Sequence, residues 1–437
     1  KLESLLNIAI IGTGYVGLPS GIGFAKLGHN VTCVDINENK IHSLQNGILP
    51  IYENNIEQLF LEVVNENLTF TTSYSCINEA DIVILAVGTP QSNNSEKADL
   101  KYIFEAINEI CKNLRDKNKY FILATKSTVP VGTGDKIEQI VHKINPNIDV
   151  VSLPEFLREG YALEDFYNPD RVIIGSNSDK ASKAIKELYS HIDSDKILIT
   201  TRKSAELIKY ASNSFLAMKI HFINEIADFC EKSGANIGDV ALGIGLDSRI
   251  GNKFLNVGPG FGGSCFPKDT LAMLGMAKEL GVGVSLIETT IKGNNDRFKK
   301  IANNIKDMLK DIDNPKIGIL GLAFKNGTDD CRQSPAIEII KEFIKNYQNI
   351  NVYDPRAINN AKGILNDNVN YTNSIYECAN ECDLLVILTE WDEFKDIDFL
   401  KLKDCIKVKK IYDTRNIINF NEAKKYGFDV INIGVKN

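Results

Sequence analysis

Short, almost wholly apolar runs punctuated by glycine recur along the chain, and their spacing predicts alternating strands and helices. Asn7-Ile8-Ala9-Ile10-Ile11 reads as a buried strand, a helical stretch follows to Leu27, Gly28 stops it, and a second strand, Val31-Thr32-Cys33-Val34, ends in Asp35. Apolar runs of this length are what strands buried on both faces of a parallel sheet look like. Further strands are predicted over residues 80–87, ending at Gly88-Thr89-Pro90, and over 120–124, ending at Lys126-Ser127-Thr128-Val129-Pro130. Another, Val150-Val151-Ser152-Leu153, leads into Pro154-Glu155-Phe156-Leu157-Arg158-Glu159-Gly160. Residues 203–233 contain neither glycine nor proline and Gly234 follows, which predicts one helix of about 46 Å at ~1.5 Å per residue.

The C-terminal part repeats the theme, with a strand over 316–321, a helix over 334–346, and a strand from Ile350 that ends in Asp354. Asn380-Glu381-Cys382-Asp383-Leu384-Leu385-Val386-Ile387 echoes Asn78-Glu79-Ala80-Asp81-Ile82-Val83-Ile84-Leu85. A chain of 437 residues exceeds what one core serves. The expectation is therefore an α/β protein with two doubly wound Rossmann-like domains joined by a long-helix central region, divided at 1–202, 203–312 and 313–437.

Gly12-Thr13-Gly14-Tyr15-Val16-Gly17 lies between the first strand and its helix. In that setting the glycines of GxGxxG allow a tight turn and a close approach of pyrophosphate, and the helix N-terminus favours the phosphates. Asp35 would bond the adenosine ribose hydroxyls and repel a 2′-phosphate, so the cofactor expected is NAD rather than NADP. Ligands gather beyond the carboxyl ends of parallel strands, which makes Thr89 and Thr128 candidates for the cofactor cleft. Glu155 and Glu159, four residues apart, would share one face if their segment were helical.

Composition narrows the function. Hydrophobic content of 43%, charged content of 24% and a formal charge of −7 are those of a globular protein without a nucleic-acid footprint. No apolar run approaches the ~20 residues of a membrane span. The N-terminal apolar segment runs straight into the glycine loop and does not read as a signal peptide, so a cytoplasmic location is expected. Nine cysteines are scattered without paired CxxC spacing and only five histidines occur, so no metal site is expected. Cys378 and Cys382 read as packing residues, and Cys331 as a bystander in a charged loop.

One cysteine stands apart. Cys265 lies in Gly258-Pro259-Gly260-Phe261-Gly262-Gly263-Ser264-Cys265-Phe266-Pro267-Lys268-Asp269, after four glycines in six positions and close to a lysine and an aspartate. The thiolate that a nearby ammonium favours is the reactive form of cysteine; a buried, inert thiol is the other reading. On the long helix, Lys209 and Asn213 are one turn apart and could stabilise an oxyanion. Phe324-Lys325-Asn326-Gly327-Thr328-Asp329-Asp330-Cys331-Arg332 replaces the glycine fingerprint in the second domain, and its two cations suit a phosphorylated ligand.

Taken together these runs, with Asn168-Pro169-Asp170-Arg171, resemble the nucleotide-sugar dehydrogenase family (UDP-glucose and GDP-mannose dehydrogenases) over nearly the whole chain. The resemblance implies an NAD domain, a helical linker that forms a homodimer or a larger assembly, and a UDP-sugar domain, with the active site between the outer domains. It implies a four-electron oxidation of a sugar C6 alcohol to a carboxylate, with two NAD+ and one water. Cys265 would carry a thiohemiacetal and then a thioester. Lys209 would assist removal of the alcohol proton and, with Asn213, stabilise the oxyanions. Asp269 would organise Lys209 and the water, which Glu155, helped by Thr128, would activate. Tyr15, Val16, Lys40, Glu159, Lys268 and Arg332 fall on the cofactor side. Phe156, Leu157, Phe254, Leu255, Gly262, Lys325 and Arg415 fall on the substrate side, and Arg249 would reach a neighbouring subunit's site. Residues 254–269 favour UDP-glucose. GDP-mannose dehydrogenases share the Gly-Cys-Lys-Asp pattern and remain an alternative, whereas UDP-N-acetylhexosamine dehydrogenases usually replace Pro267-Lys268-Asp269. A non-catalytic nucleotide sensor of the same fold is the alternative from another class, and the complete set of Cys265, Lys209, Asn213, Asp269 and Glu155 counts against it.

Overall fold

The computed structural model describes residues 5–53, 55–92 and 95–435. The chain divides into two compact units, one of residues 1–212 with 275–282 and one of residues 213–274 with 283–437.

The first unit is built on β1 (Asn7–Ile11), β2 (Asn30–Val34), β3 (Leu68–Thr71), β4 (Ile82–Leu85), β5 (Ile122–Thr125), β6 (Asp149–Ser152), β7 (Val172–Ser176) and β8 (Ile197–Thr200). Their order in the sheet is β3-β2-β1-β4-β5-β6-β7-β8. The first six are parallel; β7 runs antiparallel to β6, with Val151 opposite Ser176, and β8 pairs with β7 in parallel. Ile8 and Ile10 of β1 enter one core cluster while Ala9 and Ile11 enter another. This explains the unbroken apolar runs, because a sheet covered on both faces has no polar side to alternate with.

The second unit is built on β9 (Ile317–Leu320), β10 (Ile350–Tyr353), β11 (Asn370–Tyr371), β12 (Leu384–Ile387), β13 (Lys410–Asp413) and β14 (Asp429–Asn432). The order is β11-β10-β9-β12-β13-β14, parallel throughout. This is the same order as the first six strands of the other sheet, and both are Rossmann-like. Cys378 and Cys382 are buried in its core.

A single helix, Arg202–Ser233, contributes residues to both units. It ends where expected: Gly234 takes φ +82° and its N–H bonds Cys230 O at 2.9 Å. Three local expectations change. β4 is shorter than 80–87 and the helix predicted over 334–346 spans Pro335–Phe343. Residues 153–158 form no helix, so Glu155 and Glu159 do not share a helical face. Among the described residues no helix is long and apolar enough to cross a membrane, and no cluster of His, Cys, Asp or Glu is arranged to hold a metal ion.

Candidate active site

At the carboxyl end of β1 the chain turns through Gly12 at φ +103°, where a Cβ would stand 2.5 Å from Ala86 O. Only glycine fits there. Gly14 differs, since a Cβ on it would meet nothing within 4 Å. Packing does not explain a glycine in open space; room for a ligand does. Beyond it the helix Gly17–Lys26 begins at Val16 with no side-chain cap and no acid in its first turn, so its positive end is left for an anion. Asp35 closes the loop, accepting from Thr13 N (3.1 Å), Thr13 Oγ1 (2.6 Å) and Lys40 Nζ (3.1 Å). Burial raises its pKa, but Thr13, the Asn37 amide and Lys40 outweigh that and hold the carboxyl below its ordinary value. These residues fit a dinucleotide on an observation of this chain, the empty space over Gly14. Thr89 and Thr128 meet at the next strand ends, the Thr89 hydroxyl donating to Thr128 O at 2.8 Å.

Glu155 follows β6 and Pro154 on a stretch that is neither helix nor strand, and it is buried. Its Oε1 accepts from Lys209 Nζ at 2.9 Å and its Oε2 from Leu157 N at 2.6 Å. Burial alone would raise its pKa; the ammonium of Lys209 is the chief opposing cause, and the net direction is downward. Phe156 lies beside the pair, 5.2 Å from Lys209 Nζ, with the Arg171 guanidinium 3.8 Å from its ring centroid. Glu159 is half-buried in the turn that follows.

In the second unit, residues 254–265 belong to no helix or strand, and Cys265, half-buried, stands immediately before the helix Phe266–Glu279. Asp269 is one turn along and its N–H bonds Cys265 O at 2.8 Å. Its carboxylate, 1% exposed, takes Asn213 Nδ2 at 2.6 Å and Lys268 Nζ at 2.5 Å. The glycine loop and the loop after β9 interlock. Gly263 N bonds Arg332 O at 3.1 Å, and a Cβ on Gly262 would stand 2.2 Å from Gln333 O. Arg415 joins them: its Nε bonds Leu388 O at 2.9 Å and its Nη2 bonds Phe324 O at 3.3 Å, while a Cβ on Gly258 would be 2.9 Å from its Nη1. Leu255 is buried, and Phe254 takes φ +65° with its ring 6.1 Å from that of Phe266.

Other expected residues lie more openly. Lys325 stands 5.6 Å over the Phe324 ring. The Arg332 guanidinium is folded onto Asp330 at 2.7 Å and largely exposed. Arg249 is exposed and folded onto Asp247. Cys331 is buried, and burial pushes its thiol pKa upward, which suits packing rather than reactivity.

Sequence reading missed the acids that brace these segments. Glu206, one turn before Lys209, accepts from Gly132 N (2.6 Å), Gly134 N (2.8 Å) and Ser152 Oγ (3.0 Å). Burial pushes its carboxyl pKa upward. Glu53 accepts from Gly160 N at 2.8 Å and Ala162 N at 3.2 Å. Each sits among other polar or charged residues, Glu206 between Lys203 and Lys209 and Glu53 before Asn54 and Asn55, and nothing local marks it.

Set beside known proteins, the chain matches consecutive domains of the UDP-glucose/GDP-mannose dehydrogenase family. The NAD binding domain matches over residues 6–193, the central domain over 203–296 and the UDP binding domain over 318–420. It is 46% identical to the UDP-glucose 6-dehydrogenase of Rhizobium meliloti (strain 1021), across 98% of this chain and 99% of that protein. A UDP-glucose 6-dehydrogenase of Bacillus subtilis (strain 168) is 45% identical, across 98% of this chain and 93% of that one. Among solved structures, a UDP-glucose dehydrogenase from the hyperthermophilic archaeon Pyrobaculum islandicum superposes with a TM-score of 0.91 at 32% identity, covering 99% and 98% of the two chains.

Proposed function

Because this chain belongs to the UDP-glucose/GDP-mannose dehydrogenase family, we propose that it oxidises the C6 alcohol of UDP-glucose to the carboxylate, consuming two NAD+ and one water and releasing UDP-glucuronate. The observation that carries the double oxidation is Cys265 itself, a half-buried thiol at the head of a helix, with Asp269 one turn on and bonded to Asn213 of the long helix. The similarity to UDP-glucose 6-dehydrogenases supports the choice of sugar.

Bound NAD+ supplies the hydride acceptor at each of the two oxidations; Gly12, Gly14, Gly17 and Asp35 would hold it. The remaining work falls to side chains of this chain. Lys209, paired with Glu155, lowers the proton affinity of the C6 hydroxyl, and Glu155 receives that proton and passes it to solvent. The Cys265 thiolate then adds to the aldehyde carbon, forming a C–S bond and an oxyanion that Lys209 and the Asn213 amide stabilise. Asp269 keeps that amide turned by accepting one of its N–H groups. Loss of the second hydride from this thiohemiacetal leaves a thioester. Glu155, with Thr128, takes a proton from water; the hydroxide attacks the thioester carbonyl, the C–S bond breaks, and thiol and carboxylate separate. The covalent link keeps the aldehyde from escaping between oxidations.

The chain is read as three parts, 1–202 for NAD, 203–312 as the central helical part and 313–437 for the UDP moiety, and as a cytoplasmic protein. A homodimer is inferred from the long helix. Phe215, Phe222 and Phe229, seven residues apart, are exposed along it, and so are Leu242 of the helix Ile237–Gly245 and Leu246, which follows that helix. A row of exposed apolar side chains of this kind marks an interaction surface.

The test is NADH formed per molecule of limiting UDP-glucose, with GDP-mannose and UDP-N-acetylglucosamine in parallel. Two NADH from UDP-glucose and little from the others is expected; one NADH would remove Cys265 from the mechanism. In Cys265→Ser, acid release should fall at least about a thousandfold. Normal acid production by that variant would contradict the covalent route.

A further inference from the structure

The loop that presents Cys265 has no secondary structure of its own, yet four peptide groups in it are bonded by buried side chains from two helices. Phe261 N donates to Asn294 Oδ1 at 2.8 Å, and Asn294 Nδ2 donates back to Phe261 O at 3.0 Å. The amide thus reproduces the two-way pairing of a strand partner. One turn along the same helix, Ser285–Leu309, Arg297 Nε donates to Gly258 O at 2.7 Å. Asn224, from the long helix, accepts from Gly258 N at 2.9 Å. Arg297 is itself fixed through Nη1 to Asn224 O at 3.3 Å and to Asp228 at 3.2 Å. All three holding residues are no more than 5% exposed.

The fit between clamp and loop is close. Gly260, at φ +130°, lies so near that a Cβ would stand 2.8 Å from Asn294 Oδ1 and 2.7 Å from the Phe298 ring. Burying an asparagine and an arginine costs free energy unless bonds offset it; Asn294 uses both its Oδ1 and its Nδ2 on Phe261, while Arg297 Nη2 and Asn224 Nδ2 find no partner among the described residues. A helix pair that needed only packing would put apolar residues at these places. The polar groups are spent on fixing the path of a loop whose last residue is the thiol.

We propose that Asn294, supported by Arg297 and Asn224, is a positioning residue for Cys265, and that its amide holds the loop so that the thiol captures the aldehyde before it leaves. This rests on the double oxidation proposed above. Asn294 needs no contact with substrate or cofactor for this role. The thiol must stand within bonding reach of the aldehyde carbon, and a displacement of about 1 Å lowers such a step on the order of a hundredfold. The first oxidation does not use the sulfur. A slackened loop therefore leaves that half-reaction running and lets its aldehyde diffuse away.

The experiment compares Asn294→Ala and Asn294→Asp with the parent enzyme, reading NADH per UDP-glucose and the free 6-aldehyde trapped with a hydrazine reagent. Asn294→Asp keeps the acceptor for Phe261 N and should fold even if the alanine variant does not. The expected result is a ratio falling from two toward one, aldehyde in the trap, and a KM for NAD within about twofold of the parent. The aspartate variant should leak less than the alanine variant. A merely structural asparagine would reduce the amount of active enzyme while the ratio stayed at two with an empty trap, and that result overturns the proposal. A ratio of one in the parent enzyme would instead overturn the double oxidation, and the positioning role with it.

Discussion

The two sheets share strand order, a glycine after the first strand and an acid after the second, but they use them to opposite ends. Gly12 at φ +103° and Gly321 at φ +100° turn alike, and a Cβ on either would strike the loop beyond the adjacent strand, at Ala86 O in one case and at Thr389 in the other. The acids diverge. The Asp35 side chain keeps 15% of its surface exposed beside Thr13 and Lys40. Asp354 is 1% exposed and entirely occupied, accepting from the backbone N–H groups of Leu322, Ala323, Arg356 and Ala357 and from Trp391 Nε1. Where the first sheet leaves space over Gly14, the second places Leu322 and Ala323, both buried. A glycine turn and an acid at these places are properties of the fold. Vacant space beside them belongs to the ligand.

That contrast can be broken first at the acids. Asp354→Ala strands four backbone donors and an indole, so it should destabilise the second unit by about 3–5 kcal/mol. Asp35→Ala should cost about 1 kcal/mol or less in stability while raising the KM for NAD at least about tenfold. Denaturant titration and initial rates on both variants decide it, and equal stability losses would erase the distinction. The open space gives the next largest effect. Gly14→Val should fold with unchanged stability and raise the KM for NAD by about tenfold or more, because its side chain meets only the ligand. An unfolded Gly14→Val would mean the space is structural. The smallest effect falls in the second sheet, where Lys325→Ala should raise the KM for UDP-glucose by about fivefold to tenfold and leave that for NAD alone. The reverse pattern would move Lys325 to the cofactor.

Elements set by local pattern were legible in the sequence. The glycine fingerprint, the strand ending in Asp35 and the uninterrupted helix each rest on one continuous stretch of chain, and the internal echo compares two such stretches. What depended on distant partners was not. β7 lies antiparallel to β6, and nothing in Val172–Ser176 marks that direction. Glu206 reads as one more charge on a helix until Gly132 and Gly134, more than seventy residues earlier in the chain, bring their N–H groups to it. Asn294 looks like a solvated amide, and its partner Phe261 is thirty-three residues away. The four-residue interval between Glu155 and Glu159 suits a helix, but residues 153–158 form none, and Glu155 is held by Lys209 and by the Leu157 amide.

The loop before Cys265 owns no ladder of backbone bonds, and this shapes its behaviour in time. Hydrogen exchange at Phe261 requires Asn294 to let go, and Asn294 cannot move far without disturbing the helix Ser285–Leu309 that carries it. The Phe261 amide therefore belongs to the cooperative opening unit of that helix, and an irregular segment acquires the protection of a regular one. Substitutions far along the helix will register at the thiol as a change in how often the loop opens, while the average coordinates of the loop stay the same.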